Sequence, residues 1–135
     1  MEKIQWGQSF SVGVARLDEQ HRRLIDMINM LAEHPEADVR SETVSEILNR
    51  MTRYASEHFK TEEELLEMHG YPELPSHREM HEAFIAETAE FCHKTTLKIG
   101  SIPAEIFDYL KGWLTQHILG VDMKYSAFLR GKAAR

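Results

Sequence analysis

The chain has 135 residues, of which 42% are hydrophobic and 28% are charged, and its formal net charge is −6. This composition is typical of one soluble globular domain, and the acidic balance argues against a nucleic-acid partner. Cys92 is the only cysteine, which excludes an internal disulfide, and we expect it to be a small buried residue on a helix. Because neither a signal peptide nor a membrane-spanning apolar run is evident, we expect a cytoplasmic protein.

Four helices are predicted, because apolar positions recur every three or four residues between turn signals. The predicted helices comprise residues 17–32, 41–68, 75–97 and about 103–129. Asp18 is the predicted N-cap of the first helix, and Pro103 suits the first turn of the last. No segment alternates with a period of two, so the predicted fold is all-α, an up-down-up-down four-helix bundle.

One domain is predicted to include the whole chain, residues 1–135. Within it, residues 1–16 are expected to form an N-terminal arm laid against the bundle, because they carry Trp6 and Phe10. The bundle itself is expected to occupy residues 17–129, and residues 130–135 form a basic tail.

Each predicted helix carries polar groups within its apolar stripe, where an unpaired charge is costly. The seven groups are His21, His58, Glu62, His77, His81, His117 and Asp122. A single histidine in such a stripe is more often a hydrogen-bonded core residue than a ligand. Four separate helices with inward polar groups instead indicate one shared metal site. The other histidines, at helix ends or off the stripe, are predicted not to be ligands: His34, His69 and His93.

The spacing of His117 and Asp122 differs from that of the other groups. Two pairs, His58 with Glu62 and His77 with His81, are four residues apart and therefore share a helix face. His117 and Asp122 are five apart, a step that rotates a regular α-helix by about 140°. A π-bulge with its wider turn would align them, so we predict a departure from α geometry between these two residues.

The number and type of the inward groups favour two metal ions over one. With one cysteine, the chain cannot build a copper(I) thiolate site or an iron–sulfur cluster, and a closed zinc site would use only four ligands. Imidazole with carboxylate suits iron, with manganese or zinc as substitutes. Five imidazoles, two bridging carboxylates and a bridging oxide or hydroxide fill eleven of the twelve positions of two six-coordinate ions. The last position suits a small ligand such as dioxygen, and imidazole-rich ligation favours binding over chemistry.

Four motifs resemble those of the hemerythrins, in particular the single-domain bacterial members called bacteriohemerythrins. The motifs are WGQSFSVGVARLDEQH, HFKTEE, HREMH and HILGVD. The resemblance extends from Trp6 to about Leu129, which is essentially the whole chain. It implies a non-haem di-iron centre with an oxo or hydroxo bridge, which binds dioxygen reversibly within a four-helix bundle.

The resemblance also implies how the residues divide. One iron would be held by His77, His81 and His117, the other by His21 and His58 with its sixth position free, and both would be bridged by Glu62 and Asp122. The dioxygen pocket would be formed by Leu24, Phe59, Trp113 and Ile118. These four also suit ordinary core packing, and we expect both roles to hold, because an apolar pocket slows autoxidation.

We therefore expect a monomer that transports, stores or delivers dioxygen, whose client would be an oxygen-consuming protein. Two other classes stay open: a di-iron enzyme that reduces peroxide or nitric oxide, and a sensor of oxygen, redox state or nitric oxide. No inward tyrosine, lysine or further carboxylate is evident as a proton relay, which argues against the enzyme. No signalling output module is present in these 135 residues, which favours a carrier over a sensor.

Overall fold

The computed structural model describes residues 3–33, 42–97 and 102–131. Within these ranges the chain forms four helical rods and no strand, which confirms the predicted all-α class. The first three rods are α1 (Ala15–Glu33), α2 (Glu42–Met68) and α3 (Leu74–Leu97). The fourth is a composite helix of α4 (Ile102–Gly112), a π-helical segment (Trp113–Asp122) and α5 (Met123–Gly131). No helix in the described ranges has an apolar stretch that could cross a membrane.

The four rods close into a ring, which confirms the predicted four-helix bundle. α1 packs against α2, α2 against α3, and both α1 and α3 against α4. The described helix ends lie within two residues of their predicted positions. Each rod buries a stripe of apolar residues at helical spacing, so tertiary burial and helix periodicity agree along the chain.

The polar side chains singled out by the sequence lie in a layer between two apolar clusters. The larger cluster includes Leu24, Ile28, Met51, Phe84 and Leu110, all completely buried. The smaller includes Leu17, Leu66, Leu74, Tyr125 and Leu129. Every rod passes from one cluster through the polar layer into the other, so the bundle holds that layer away from water at both ends.

The loop before α1 corrects the prediction for Asp18. Because α1 begins at Ala15, Asp18 lies in the first turn of the helix and is not its N-cap. Its carboxylate accepts hydrogen bonds from the Ser11 hydroxyl at 2.5 Å and from the Val12 backbone N–H at 2.8 Å. The charge still suits a helix N-terminus, but its main effect is to fix the preceding loop.

Residues before α1 lie along the bundle. The Asn29 side chain accepts a hydrogen bond from the Ile4 backbone N–H at 2.7 Å and donates one to the Ile4 carbonyl at 2.8 Å. Trp6 packs on the larger cluster, beneath the Arg22 guanidinium. The Ser126 hydroxyl donates to the backbone carbonyl of Val12 at 2.8 Å. The division into arm, bundle and tail stays a prediction, and residues 132–135 of the expected tail lie outside the described residues.

The prediction that Cys92 is buried is wrong, because its side chain is exposed on α3. The buried positions of this part of α3 are Phe84, Thr88 and Phe91. One further residue rotates the chain by about 100°, which turns Cys92 away from the bundle interior.

A matched pair of leucine substitutions tests the position of the larger cluster. Leu110→Ala should lower the free energy of unfolding by about 2–5 kcal/mol, because Leu110 is completely buried in that cluster. Leu97→Ala removes the same atoms from a side chain that is 54% exposed, so the free energy of unfolding should change by less than about 0.5 kcal/mol. Denaturant unfolding of both variants at equal metal content measures the difference. Similar losses in the two variants would contradict the packing described here.

Candidate metal centre

The four rods bring all seven predicted polar side chains into one buried layer. Each of the seven is 5% exposed or less, namely His21, His58, Glu62, His77, His81, His117 and Asp122. Two groups of four side chains have potential ligand atoms within 4.8 Å of one another. One group comprises His21, His58, Glu62 and Asp122, and the other comprises Glu62, His77, His81 and His117. Glu62 belongs to both, so the two groups are adjacent.

Both carboxylates lie between the imidazoles. Glu62 Oε1 is 2.6 Å from His77 Nε2, and Glu62 Oε2 is 3.1 Å from His58 Nε2. Asp122 Oδ2 is 3.3 Å from His21 Nε2, and Asp122 Oδ1 is 3.2 Å from His77 Nε2. Each carboxylate therefore offers one oxygen to each group of histidines.

The composite helix aligns His117 with Asp122 through the predicted departure from α geometry. Residues Trp113–Asp122 form a π-helix, in which a step of five residues returns to the same face. As a result, His117 Nε2 lies 3.1 Å from Asp122 Oδ1. This prediction is confirmed, although the π segment begins four residues before His117 and so is longer than a local bulge.

The four predicted pocket residues belong to the larger apolar cluster beside the polar layer. The Phe59 ring stacks on His81 with centroids 3.8 Å apart, and Trp113 stacks on His117 at 3.9 Å. Leu24 and Ile118 are completely buried. These contacts orient imidazoles and exclude water. The dioxygen role of the four residues stays a prediction.

Two further polar residues, which the sequence analysis missed, bond the outer nitrogens of the imidazoles. His58 Nδ1–H donates to Gln20 Oε1 at 2.7 Å, and His81 Nδ1–H donates to Glu63 Oε2 at 2.7 Å. These bonds leave Nε2 of both rings directed into the site. Each of these partners lies on a helix next to that of its histidine. The sequence offers one clue to them, which is that each is adjacent in the chain to one of the seven predicted polar groups.

A buried tyrosine corrects the expectation that no inward tyrosine lies beside the site. Tyr125 is completely buried, and its hydroxyl donates to Glu62 Oε2 at 2.7 Å. Tyr125 is three residues after Asp122 and so lies on the same helix face, and this spacing could have predicted an inward tyrosine from the sequence. Tyr54, four residues before His58, stacks on that ring at 4.8 Å, and its hydroxyl accepts a hydrogen bond from Trp113 Nε1 at 3.4 Å.

Charge interactions within the layer outweigh burial for most of these groups. Burial lowers the pKa of His21, but the Asp122 and Glu62 carboxylates beside its ring reverse this and raise the pKa to about 9. The same balance raises the pKa of His77 to about 10. Burial dominates for His58, whose pKa is lowered. Burial alone would raise the pKa of both carboxyl groups, but the neighbouring imidazoles hold them below their usual range, so the layer contains two ionised carboxylates.

The donor set fits metal cations. His81 Nε2, His117 Nε2 and both carboxylate oxygens of Asp122 are buried and, despite their short distances to neighbouring polar atoms, form no hydrogen bond of suitable geometry in the described part of the chain. Unsatisfied buried atoms of this kind are costly. His21 Nε2 and His58 Nε2 lie 3.0 Å apart. Adjacent ligands at about 2.1 Å from one octahedral ion would be separated by about 3 Å, so two cations would satisfy these atoms.

The remaining histidines do not join these groups. His93 is exposed and His69 is partly exposed at the end of α2, and neither belongs to a potential metal group within the described ranges. His34 lies outside the described residues. That none of the three is a ligand stays a prediction.

Comparisons with known proteins agree with this geometry. Residues 12–129 match the family model described as "Hemerythrin HHE cation binding domain". A bacteriohemerythrin of Stenotrophomonas maltophilia is 34% identical over 127 residues, which is 93% of this chain and 81% of the relative. A myohemerythrin of Theromyzon tessulatum is 32% identical over 130 residues, 95% of each chain. A crystal structure of a hemerythrin mutant superposes with a TM-score of 0.76 over 94% of this chain and 97% of that one, at 24% identity, which supports the fold alone.

Two tyrosine substitutions test the bond to Glu62. Tyr125→Phe should lower the free energy of unfolding by about 1.5–3 kcal/mol, because a buried carboxylate loses a charge-assisted hydrogen bond while the ring is kept. Tyr71→Phe is the control, since its hydroxyl bonds the exposed Glu73 at 3.3 Å, and it should cost about 0.5 kcal/mol. Denaturant unfolding measures both free energies. Equal losses in the two variants would show that the hydrogen bond from Tyr125 to Glu62 stabilises the fold no more than the exposed bond from Tyr71 does.

Proposed function

This chain belongs to the hemerythrin family, and we propose that it binds dioxygen reversibly at a non-haem di-iron centre, to transport, store or deliver oxygen. One observation carries the proposal: five imidazoles and two carboxylates meet in a buried layer as two potential metal groups that share Glu62. Ligand sets rich in neutral imidazole stabilise high-valent metal less than carboxylate-rich sets do, which favours binding over oxidation of substrates.

The proposed ligand roles follow the two groups. His77, His81 and His117 would hold one iron, His21 and His58 would hold the other, and Glu62 and Asp122 would bridge them. The distances from each carboxylate to histidines of both groups support the bridging role. When bound, the irons would supply the electrons and the open position that dioxygen requires. The protein supplies the ligands, their orientation and the charge that balances the cations.

The apolar surroundings support reversible binding. Leu24, Phe59, Trp113 and Ile118 are 9% exposed or less and place hydrocarbon and aromatic surface against the polar layer. The Tyr54 hydroxyl on this side is engaged with the Trp113 indole. A small apolar ligand is favoured in such a pocket, and water and protons that would promote loss of the bound state are excluded.

Reduction of peroxide or nitric oxide is the second candidate function, and Tyr125 is the observation that favours it. Its buried hydroxyl, 2.7 Å from Glu62, is a group that could move a proton. The Tyr125 ring packs against His77, with centroids 5.6 Å apart. Because the hydroxyl bonds Glu62 Oε2, the oxygen that lies 3.1 Å from His58 Nε2, Tyr125 contacts proposed ligands of both irons. Binding is the better-supported function because of the imidazole-rich ligand set and its apolar surroundings.

Iron content after anaerobic reconstitution tests the ligand assignment. The unmodified protein should bind two irons per chain, and His81→Ala should bind fewer, because one Nε2 ligand is removed. His93→Ala removes an exposed imidazole from the same helix and should keep the full complement. Metal analysis together with the protein concentration gives the ratio. A full complement in His81→Ala would contradict the assignment.

The visible spectrum tests the function itself. The iron-loaded protein should develop a charge-transfer band in air that disappears when oxygen is removed and returns through repeated cycles. Peroxide and nitric oxide should be consumed no faster than by the same amount of free iron. Absence of the band, or sustained turnover of either substrate well above free iron, would move the assignment to the enzyme.

A further inference from the structure

We infer that Glu63 and Gln20 are positioning residues that make the two ends of the metal centre electronically unequal, with an anionic partner behind His81 and a neutral one behind His58. Each ring donates its Nδ1–H at the same distance, 2.7 Å, but to a carboxylate in one case and to an amide in the other. This inference rests on the proposed di-iron function.

The carboxylate behind His81 is held in place by an ion-pair chain. Glu63 Oε2 accepts the bond from His81, while Glu63 Oε1 accepts one from Arg78 Nε at 3.1 Å. Arg78 Nη2 in turn donates to Glu67 Oε2 at 3.0 Å. The Glu63 side chain is 25% exposed, so its charge is only partly screened by water. A fixed, partly buried anion therefore faces the outer side of this imidazole.

The amide behind His58 has a different setting. Gln20 is 7% exposed, accepts the bond from His58 and donates weakly to the Thr61 hydroxyl at 3.4 Å. Gln20, His58 and Tyr54 line a cleft of about 310 Å³ on the α1–α2 side of the bundle. The ionic groups of this cleft include the Arg23–Glu57 pair, which spans α1 and α2 at 3.1 Å. The group that directly bonds His58 Nδ1 is uncharged.

The two partners should change the donor strength of their rings. A carboxylate attracts the Nδ1 proton, which increases electron density at Nε2 and strengthens its bond to a metal ion. A neutral amide fixes the same ring orientation with less of this effect. The ion bound to His81 should thus be held more tightly, and its oxidised state stabilised more, than the ion bound to His58. This is the end at which all ligand positions are proposed to be filled.

Glu63→Gln tests this inference because it keeps an acceptor for His81 Nδ1–H and removes only the charge. Zinc affinity should fall about tenfold, the lower part of the range typical for loss of an outer ligand partner, and the midpoint potential of the iron-loaded protein should rise. Glu64→Gln is the matched control: the same substitution one residue later, on the exposed face of α2. It should leave both quantities unchanged. Circular dichroism of each variant verifies the fold.

The reciprocal variant, Gln20→Glu, places a carboxylate behind His58 and should lower the midpoint potential. If Glu63→Gln and Glu64→Gln gave the same affinity and potential, or if Gln20→Glu and Glu63→Gln shifted the potential in the same direction, the inference would be overturned. In either case two irons per chain in the unmodified protein would leave the proposed function standing. An unmodified protein that takes up neither iron nor zinc would overturn both.

Discussion

Two carboxylates with no solvent exposure, Glu62 and Asp122, lie at the centre of this bundle, and the rest of the fold accommodates their charge. Imidazoles from α1, α2, α3 and the composite helix approach within 3.3 Å of them. Apolar clusters close the layer at both ends, so water cannot supply the missing solvation. Positive charge within the layer offsets the two buried carboxylates, so bound metal cations would stabilise the core.

The sequence predicted the features that repeat along a single helix. Spacings of four placed ligand-type pairs on one face, and the spacing of five between His117 and Asp122 predicted the π geometry. Contacts that cross between helices were not accessible in this way, because the registry of neighbouring rods decides which side chains meet. The hydrogen bonds of Gln20 and Glu63 to the histidines were therefore not predicted, because polar residues of these types are usually on the surface. Tyr125 was missed although its spacing of three from Asp122 was readable.

In the proposed di-iron centre, imidazole ligands and apolar walls would both favour reversible binding of dioxygen. Neutral ligands would restrict the charge that the proposed irons can carry, and stacked rings such as Phe59 on His81 keep the imidazoles from rearranging. A rigid site that excludes water favours reversible binding of a ligand without its chemical conversion. The Tyr125 hydroxyl is the exception in this environment, because it places a buried proton donor 2.7 Å from Glu62.

The π-helical segment also restricts how this chain can vary during evolution. Around Gly120 there is open space, so an added Cβ would meet no atom within 4 Å. Adding one residue within 113–122 would instead rotate everything beyond it by about 100° relative to the bundle. That rotation would separate Asp122 from the histidines and the Ser126 hydroxyl from the Val12 carbonyl at once. Substitution of Gly120 should therefore be tolerated among related sequences, whereas insertions within 113–122 should be rare.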